Sequence, residues 1–378
     1  MYFFKQPFRP FFTLTAITAI LVPMYFVGIL VNGYSINETF LTSTFWHSHE
    51  MIYGFMAALL TGFTLTAAPK WAGKPPLDYK WCILLTLLWV MARIVIIAQP
   101  SAMALYIFLP LPLVLLIVRL FVILKENQNK FIILGLLSSL LVTQVISIYA
   151  GIQLEDILLE NTYKAVSFIL VTFLIIFSGR LIPFFVNSRL KNDLLVQNKK
   201  FDLSIVGVAL ISMISSMTSL TPLTAATSIV CYILLKIRFR RLMLKEVFSI
   251  PMLWILYIGH LWINLYFILN ALSLYVPTFD EGRAVFHTLY AGALGTFAIG
   301  MMSRVSLGHS GLEMKATKLI KLSFYSMIIG SVTRVIHPMV MSGLDETLLH
   351  ISMGFWTLSF ILYLIYFFPK FISPKEKM

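Results

Sequence analysis

Twelve stretches of this sequence are apolar for close to the length a bilayer demands, and that property removes most folds from consideration. A helix needs about 20 apolar residues to cross the hydrocarbon core. Such runs cover roughly residues 11–31, 46–68, 81–98, 102–124, 131–151, 163–180, 203–220, 222–237, 250–272, 284–302, 317–336 and 347–368. The seventh and eighth are separated only by Ser219 to Pro222, and Pro222 is what breaks the run. Composition agrees: 59% of 378 residues are hydrophobic and 12% charged, with a mean hydropathy of +0.88, far from a soluble profile. The expected fold is all-α, a polytopic membrane bundle of about twelve transmembrane helices. It forms a single integral membrane domain over residues 1–378, because no stretch outside the spans is long enough for a soluble domain.

Lys and Arg placement gives an orientation, since short cytoplasmic loops carry an excess of both. With both termini cytoplasmic, all of the 29 basic residues except Arg93, Lys164, Arg283 and Arg334 fall on the cytoplasmic side. The net charge of +13 is therefore a topology signal, and no nucleic-acid partner is implied; the partner is membrane lipid. The outer segments hold Glu38, Glu155, Asp156, Glu160, Asp280, Glu281, Asp345 and Glu346. That acidity either gathers cations or simply remains once basic residues are excluded. Cys82 and Cys231 lie on different spans without metal or disulfide spacing. Lys5 and Arg9 precede a full-length first span with no small-residue cleavage pattern, so that span stays as an anchor.

Trp46-His47-Ser48-His49-Glu50-Met51-Ile52-Tyr53 puts ionisable groups at the mouth of an apolar span, a costly arrangement that marks a functional site. With the orientation above, His47, His49, His287, His337 and His350 all fall in or near the outer leaflet. His260 sits mid-span, and only His309 is cytoplasmic. Imidazoles at one level suit haem iron or copper, whereas magnesium or calcium would want carboxylates. At about 100° per residue, His47 and His49 point about 200° apart if both are helical, so they share one metal only if His47 precedes the first turn. His47 with Met51, and His49 with Tyr53, are i and i+4 pairs, and imidazole with thioether favours Cu(I). Core packing is the ordinary role for Met51.

Arg93 and Arg334 lie near the outer ends of their spans and need anionic partners. Haem propionates would serve; pairing with Glu50 and snorkelling are the alternatives. Gly54, Ala58 and Gly62 recur every four residues, and Ala291 with Gly295 repeats the pattern, allowing close helix approach. There is also an internal echo. His49 precedes Gly62 by thirteen residues and His287 precedes Gly300 by thirteen, and each span is followed by one bearing Arg93 or Arg334. A parallel repeat would produce this.

The segments Phe8-Arg9-Pro10-Phe11-Phe12, Trp46 to Met51, Gly54-Phe55, Thr66-Ala67-Ala68-Pro69-Lys70-Trp71-Ala72-Gly73, Gly179-Arg180-Leu181-Ile182-Pro183-Phe184-Phe185, the stretch from His287, and Met302-Ser303-Arg304-Val305-Ser306-Leu307-Gly308-His309-Ser310-Gly311 together resemble the NnrS family of bacterial membrane proteins. The resemblance spans most of the chain. It implies twelve spans in the bacterial inner membrane, haem and copper as cofactors, and a part in the response to nitric oxide, which becomes a ligand. It also draws attention to His47, His49, His260, His287 and His309, without assigning ligands position by position. Our division is haem on His49, His260 or His287 with Arg93 and Arg334 on its propionates, and metal on His47, His49, Met51, His287, His337 and His350. His309 lies about 30 Å from the outer cluster by span length and belongs to no common centre with it.

Three functions compete. A protective haem and copper protein would bind nitric oxide through an open axial position. A nitric oxide-metabolising oxidoreductase would need a second metal and a proton path, for which Glu50, Tyr53 and the line Thr61, Thr64, Thr66 are the candidates. A transporter of copper, haem or a small solute would use the repeat, although no pair of Gly/Pro-broken spans stands out.

Overall fold

A computed structural model describes residues 2–128, 130–191, 194–279, 284–339 and 345–373, apart from the side chains of Pro277 and Asp345. Asp280, Glu281 and Arg283, assigned above to the outer side, lie outside the described residues. Every regular element among those described is helical. Twelve helices are long and apolar enough to cross a membrane: α1 Phe8–Asn32, α2 Ser43–Trp71, α3 Tyr79–Ala98, α4 Ala102–Ile123, α5 Lys130–Gln153, α6 Asp156–Leu190, α7 Lys199–Met217, α8 Thr221–Leu242, α9 Pro251–Ser273, α10 Ala284–His309, α11 Lys318–Met339 and α12 Glu346–Ile372. The expected bundle class and span count hold.

Short polar connections start these helices. Thr42, Asp78, Ser101, Asn198 and Thr317 each stand before a first turn and accept a hydrogen bond from one of its free amides. Gly33, at φ +69°, ends α1 in the left-handed conformation that glycine adopts without strain. Pro222 occupies the first turn of α8, where its missing N–H costs nothing, so α7 and α8 separate where the sequence indicated. Helix ends run past the apolar windows, most of all in α6, whose 35 residues give about 52 Å of helix at 1.5 Å per residue. Hydropathy measures the lipid-facing length, whereas backbone hydrogen bonding continues into the headgroup layer.

The chain divides into two compact units, one of residues 1–162, 302–313 and 360–378, the other of residues 163–301 and 314–359. In the first unit α1 packs on α2. A Cβ at Gly62 would lie 2.9 Å from the Phe11 Cβ and the Phe12 ring, so this glycine sets the close approach. Enclosure separates the helices: 83% of the most apolar window of α2 is buried and 78% of that of α10, against 28% for α7. The two most enclosed spans are also the two that carry a histidine at the start of an irregular turn.

That irregularity is a π-helix in both. In α2 it covers Glu50–Met56, directly after His49, and a 15-residue α-helix follows from Ala57 to Trp71. In α10 it covers Thr288–Leu294, directly after His287, and a 15-residue α-helix follows from Gly295 to His309. One constant offset relates both π-helices and both α-helices. Within the first unit, α1 and α3 pack on the Glu50–Met56 turns; within the second, α9 and α11 pack on the Thr288–Leu294 turns. The same local architecture therefore occurs twice, as the echo in the sequence predicts.

Candidate functional site

In α2 the chain turns π-helical where its polar side chains are most tightly enclosed. Inserting an i→i+5 turn into a buried helix is uncommon and concentrates at functional sites. It also exposes main-chain carbonyls to other donors. Here α3 supplies them: Trp89 Nε1 donates to Gly54 O at 3.3 Å and Arg93 Nη1 to Tyr53 O at 3.4 Å.

His49 lies on the last α-helical residue before this turn, 1% exposed. Both ring nitrogens are engaged. Gln144 Nε2 of α5 lies 3.2 Å from His49 Nε2 and 3.1 Å from Leu109 O. The carbonyl only accepts, which fixes the amide group toward the ring, so His49 Nε2 accepts and its proton sits on Nδ1. That N–H donates to Glu50 Oε1 at 3.1 Å. The other Glu50 oxygen forms an ion pair with Arg93 Nε at 2.8 Å. The Arg93 guanidinium also lies over the Trp89 ring, 4.8 Å from its centroid. Gly54 makes room for the pair, since a Cβ there would sit 3.1 Å from Glu50 Oε2 and 3.3 Å from Arg93 Nη1.

Aromatic rings complete the enclosure. Phe45 stacks on His49 at 5.8 Å, and Tyr53 meets it at 5.0 Å while donating to Thr143 Oγ1 at 3.2 Å. The result is a buried neutral imidazole with a carboxylate behind its N–H and its lone pair on Nε2. A carboxylate in that place orients a metal-binding histidine and raises its basicity. Among the described residues no group of three or more His, Cys, Asp or Glu side chains could hold a metal ion. A lone imidazole fits axial ligation of haem iron better than a self-contained copper site.

The other candidates have separate surroundings. Half-buried His47 stacks on Phe26 of α1, 4.1 Å between centroids, and Met51 packs beside the same apolar cluster in the first unit. His47 and His49 thus point to different neighbours, as their angular separation required. In the second unit, His260 is 1% exposed, stacks on Phe239, and donates from Nε2 to Leu235 O at 3.3 Å. Only its Nδ1 could ligate. His287 is half-buried at the head of the second π-helix. Arg334 Nη1 points at His337 Nδ1 from 3.3 Å, so a cation on that nitrogen would face a guanidinium. His350 is exposed and donates from Nδ1 to Glu346 O at 2.7 Å.

His309 stands apart, at the far end of α10, its ring 5.6 Å from that of Phe8. Thr61, Thr64 and Thr66 each donate to the carbonyl four residues back, at 2.6 to 2.7 Å. They satisfy carbonyls of their own helix. Thr66 Oγ1 also receives Phe8 N–H at 3.1 Å, which ties α1 to α2.

Gln144 and the Leu109 carbonyl did not emerge from the sequence. The available signal was an amide inside the fifth apolar run, where a polar side chain must find a partner. Glu38, just outside α2, accepts the Ser43 amide at 2.6 Å, and hydrogen bonding from the Ser43 side chain, together with this amide, holds its carboxyl below the ordinary carboxylate range.

Twelve apolar helices, two of them broken by π-turns behind a histidine, define a multi-pass membrane protein with a buried imidazole–carboxylate–guanidinium network. Residues 2–375 match the model of the family described as NnrS protein, and the chain belongs to that family. No curated protein matches the sequence.

Proposed function

We propose that the chain is a haem-binding protein of the bacterial inner membrane, also holding copper, that acts in the response to nitric oxide. Family membership supports the role. The observation that carries the cofactor reading is His49, a buried imidazole whose N–H is held by Glu50 and whose lone pair meets only an amide that a metal would displace. His287, at the equivalent place before the second π-helix, and His260 Nδ1 are the other haem candidates. Arg334 is the candidate for a propionate; Arg93 would serve only by exchanging Glu50 for one. His47 and Met51 are proposed for Cu(I), and His337 and His350 remain weaker candidates given their present partners. A haem held by these residues would supply reversible binding of nitric oxide. The chain's own task is to hold the Nε2 lone pair in place, keep the imidazole neutral and keep water from it.

Visible spectra and metal analysis of the detergent-purified protein test this. Wild type should show a Soret band that moves when nitric oxide is added to the reduced protein. His49→Ala should abolish or shift the band. If His49→Ala, His260→Ala and His287→Ala all keep wild-type spectra and haem content, the ligand assignment fails. Rapid multi-turnover conversion of nitric oxide, lost in Glu50→Gln, would replace the protective reading by an enzymatic one; metal-dependent uptake into proteoliposomes would replace it by transport. The orientation has both termini in the cytoplasm. Labelling of a Ser35→Cys variant should therefore occur from the periplasm, and labelling only from the cytoplasm would reverse it.

A further inference from the structure

Where the start of α7 meets the end of α8, the second unit carries more positive charge than its own residues balance. Over residues 194–250 the basic residues are Lys199, Lys200, Lys236, Arg238, Arg240, Arg241 and Lys245, and the acidic ones are Asp202 and Glu246. Asp202 is already paired. Its Oδ1 lies 2.9 Å from Arg238 Nε, and both side chains are buried. Through Nη2, Arg238 also reaches Ile175 O at 2.6 Å and Ser178 Oγ at 3.1 Å on α6. The pair therefore fixes the first turn of α7 against the end of α8, and the other basic residues stay exposed with Glu246 alone as their exposed acidic neighbour in this stretch.

These cations are held in place without being neutralised. Asn198 Oδ1 accepts the Phe201 amide at 3.0 Å and starts α7, so Lys199 and Lys200 stand in its first turn. The Arg241 guanidinium lies over the Phe201 ring, 4.6 Å from its centroid. Stacking leaves the N–H edge of a guanidinium free to donate. Among the described residues, the side chains of Lys199, Lys200, Arg240 and Lys245 have no hydrogen-bond or ion-pair partner. In the first unit such side chains fold back on the chain: Lys74 Nζ donates to Val122 O at 3.0 Å and Lys130 Nζ to Lys125 O at 2.6 Å.

Away from the cations, both helices present apolar side chains outward. On α8, Ile229, Ile233, Ile237 and Arg241 recur every four residues and all are exposed, so an apolar stripe ends in a guanidinium. On α7, Lys200, Leu203, Gly207 and Leu210 recur at steps of three and four, again exposed. A Cβ at Gly207 would meet nothing within 4 Å. At 1.5 Å per residue the α8 stripe runs about 18 Å and the α7 stripe about 15 Å, close to the ~15 Å of hydrocarbon in one leaflet. The contact of Arg241 with Phe201 joins their cationic ends.

We propose that the joined ends of α7 and α8 bind an anionic phospholipid, its phosphate among Lys199, Lys200 and Arg241 and its acyl chains along the two stripes. A free anion would use the cations alone, and an acidic protein would have no use for an apolar length of one leaflet beside them. An anionic lipid has both parts in this order, and basic clusters at the end of a span attract such headgroups. A zwitterionic lipid brings a cation of its own, which the cluster repels. The site depends neither on haem or copper nor on which leaflet this end occupies.

Native mass spectrometry of the delipidated full chain in detergent, titrated with dioleoylphosphatidylglycerol or dioleoylphosphatidylcholine, tests this. The first phosphatidylglycerol should bind at least tenfold more tightly than the first phosphatidylcholine. One Lys beside an anionic headgroup is worth about fivefold, so Lys199→Gln with Lys200→Gln should lower phosphatidylglycerol affinity at least tenfold and leave phosphatidylcholine unchanged. Both side chains are exposed and unpartnered, so the double variant should elute as folded protein. Lys74→Gln with Lys130→Gln removes the same charge elsewhere and should change neither affinity. Equal wild-type affinities for the two lipids, or a folded Lys199→Gln, Lys200→Gln variant that keeps the preference, would overturn the proposal. An equal loss in the Lys74→Gln, Lys130→Gln variant would overturn it too, because net charge would then set the preference. Full displacement of the lipid by inorganic phosphate would mark an ion site, and by polyglutamate a surface for an acidic protein; either would replace the lipid reading.

Discussion

Replacing Glu50 and Arg93 singly and together separates a network that organises the α2 π-turn from one that merely accompanies it. The two side chains are 3% and 12% exposed and 2.8 Å apart. Removing one partner of a buried pair leaves an uncompensated charge and costs about 3–5 kcal/mol, whereas neutralising both is often nearly free. Glu50→Gln retains an amide oxygen for the His49 N–H, so its cost should sit at the lower end, about 3 kcal/mol. Arg93→Met also loses the face of Trp89, a contact worth roughly 0.5–2 kcal/mol. Against this, the remaining Glu50 keeps its His49 donor, and about 3–4 kcal/mol is expected. The double variant carries no buried charge at this point and should lie within ~2 kcal/mol of wild type, the residue being the lost Trp89 contact. The assay is reversible unfolding of the purified protein in mixed micelles with increasing SDS, in the absence of added cofactor. Each single change should lower the folding equilibrium constant more than about a hundredfold, since 1.4 kcal/mol is tenfold. Effects that add to within about 0.5 kcal/mol, as for independent sites, would refute the reading that Glu50 and Arg93 act as one unit.

A Cβ at Gly179 would collide with the Asp202 carboxylate and lie 2.7 Å from Arg238 Nη2, whereas one at Gly135 meets nothing within 4 Å. In the same unfolding assay Gly179→Ala should therefore destabilise by about 1–3 kcal/mol, while Gly135→Ala should be neutral or stabilise by up to about 1 kcal/mol; equal effects would contradict the packing described. Glu38 is held below the ordinary carboxylate range by hydrogen bonding from the Ser43 side chain and amide, so its contribution is present above that range and disappears as pH falls through its lowered value. Glu38→Gln should then flatten the acid side of the stability profile and leave the alkaline side unchanged, an effect kept small by the exposure of this carboxylate.

The span count was legible in the sequence because it depends on little besides apolar length. Helix ends were less so: residues 163–180 mark the apolar part of α6, yet the helix runs from Asp156 to Leu190, since charged residues at the headgroups suit a helix as well as a loop. The Glu50–Arg93 pair was one of two partners weighed for Arg93. Gln144 escaped because nothing in an apolar run says which neighbouring helix an amide will reach. Thr224 and Ser228 escaped likewise: each is ordinary in a membrane helix, and nothing in the sequence says that they meet Ser215 and Ser212 of α7 and, for Ser228, Asn270 of α9.

The π-turns show where sequence periodicity stops being informative. Hydropathy along a fully enclosed helix is nearly the same on every face, so a change from i→i+4 to i→i+5 bonding leaves no trace in the apolar pattern. What the sequence did carry was the echo between His49 and His287, and the structure gives it physical content. In each case the histidine ends an α-helical segment, seven π-helical residues follow, and the next fifteen return to α. The two copies then diverge at the first π-position, Glu50 in one and Thr288 in the other. Glu50 holds the His49 N–H and pairs with Arg93, whereas Thr288 donates to Ala284 O at 2.9 Å, within its own helix. In the first copy the Glu50 carboxylate behind the His49 N–H orients that imidazole and raises the basicity of its Nε2.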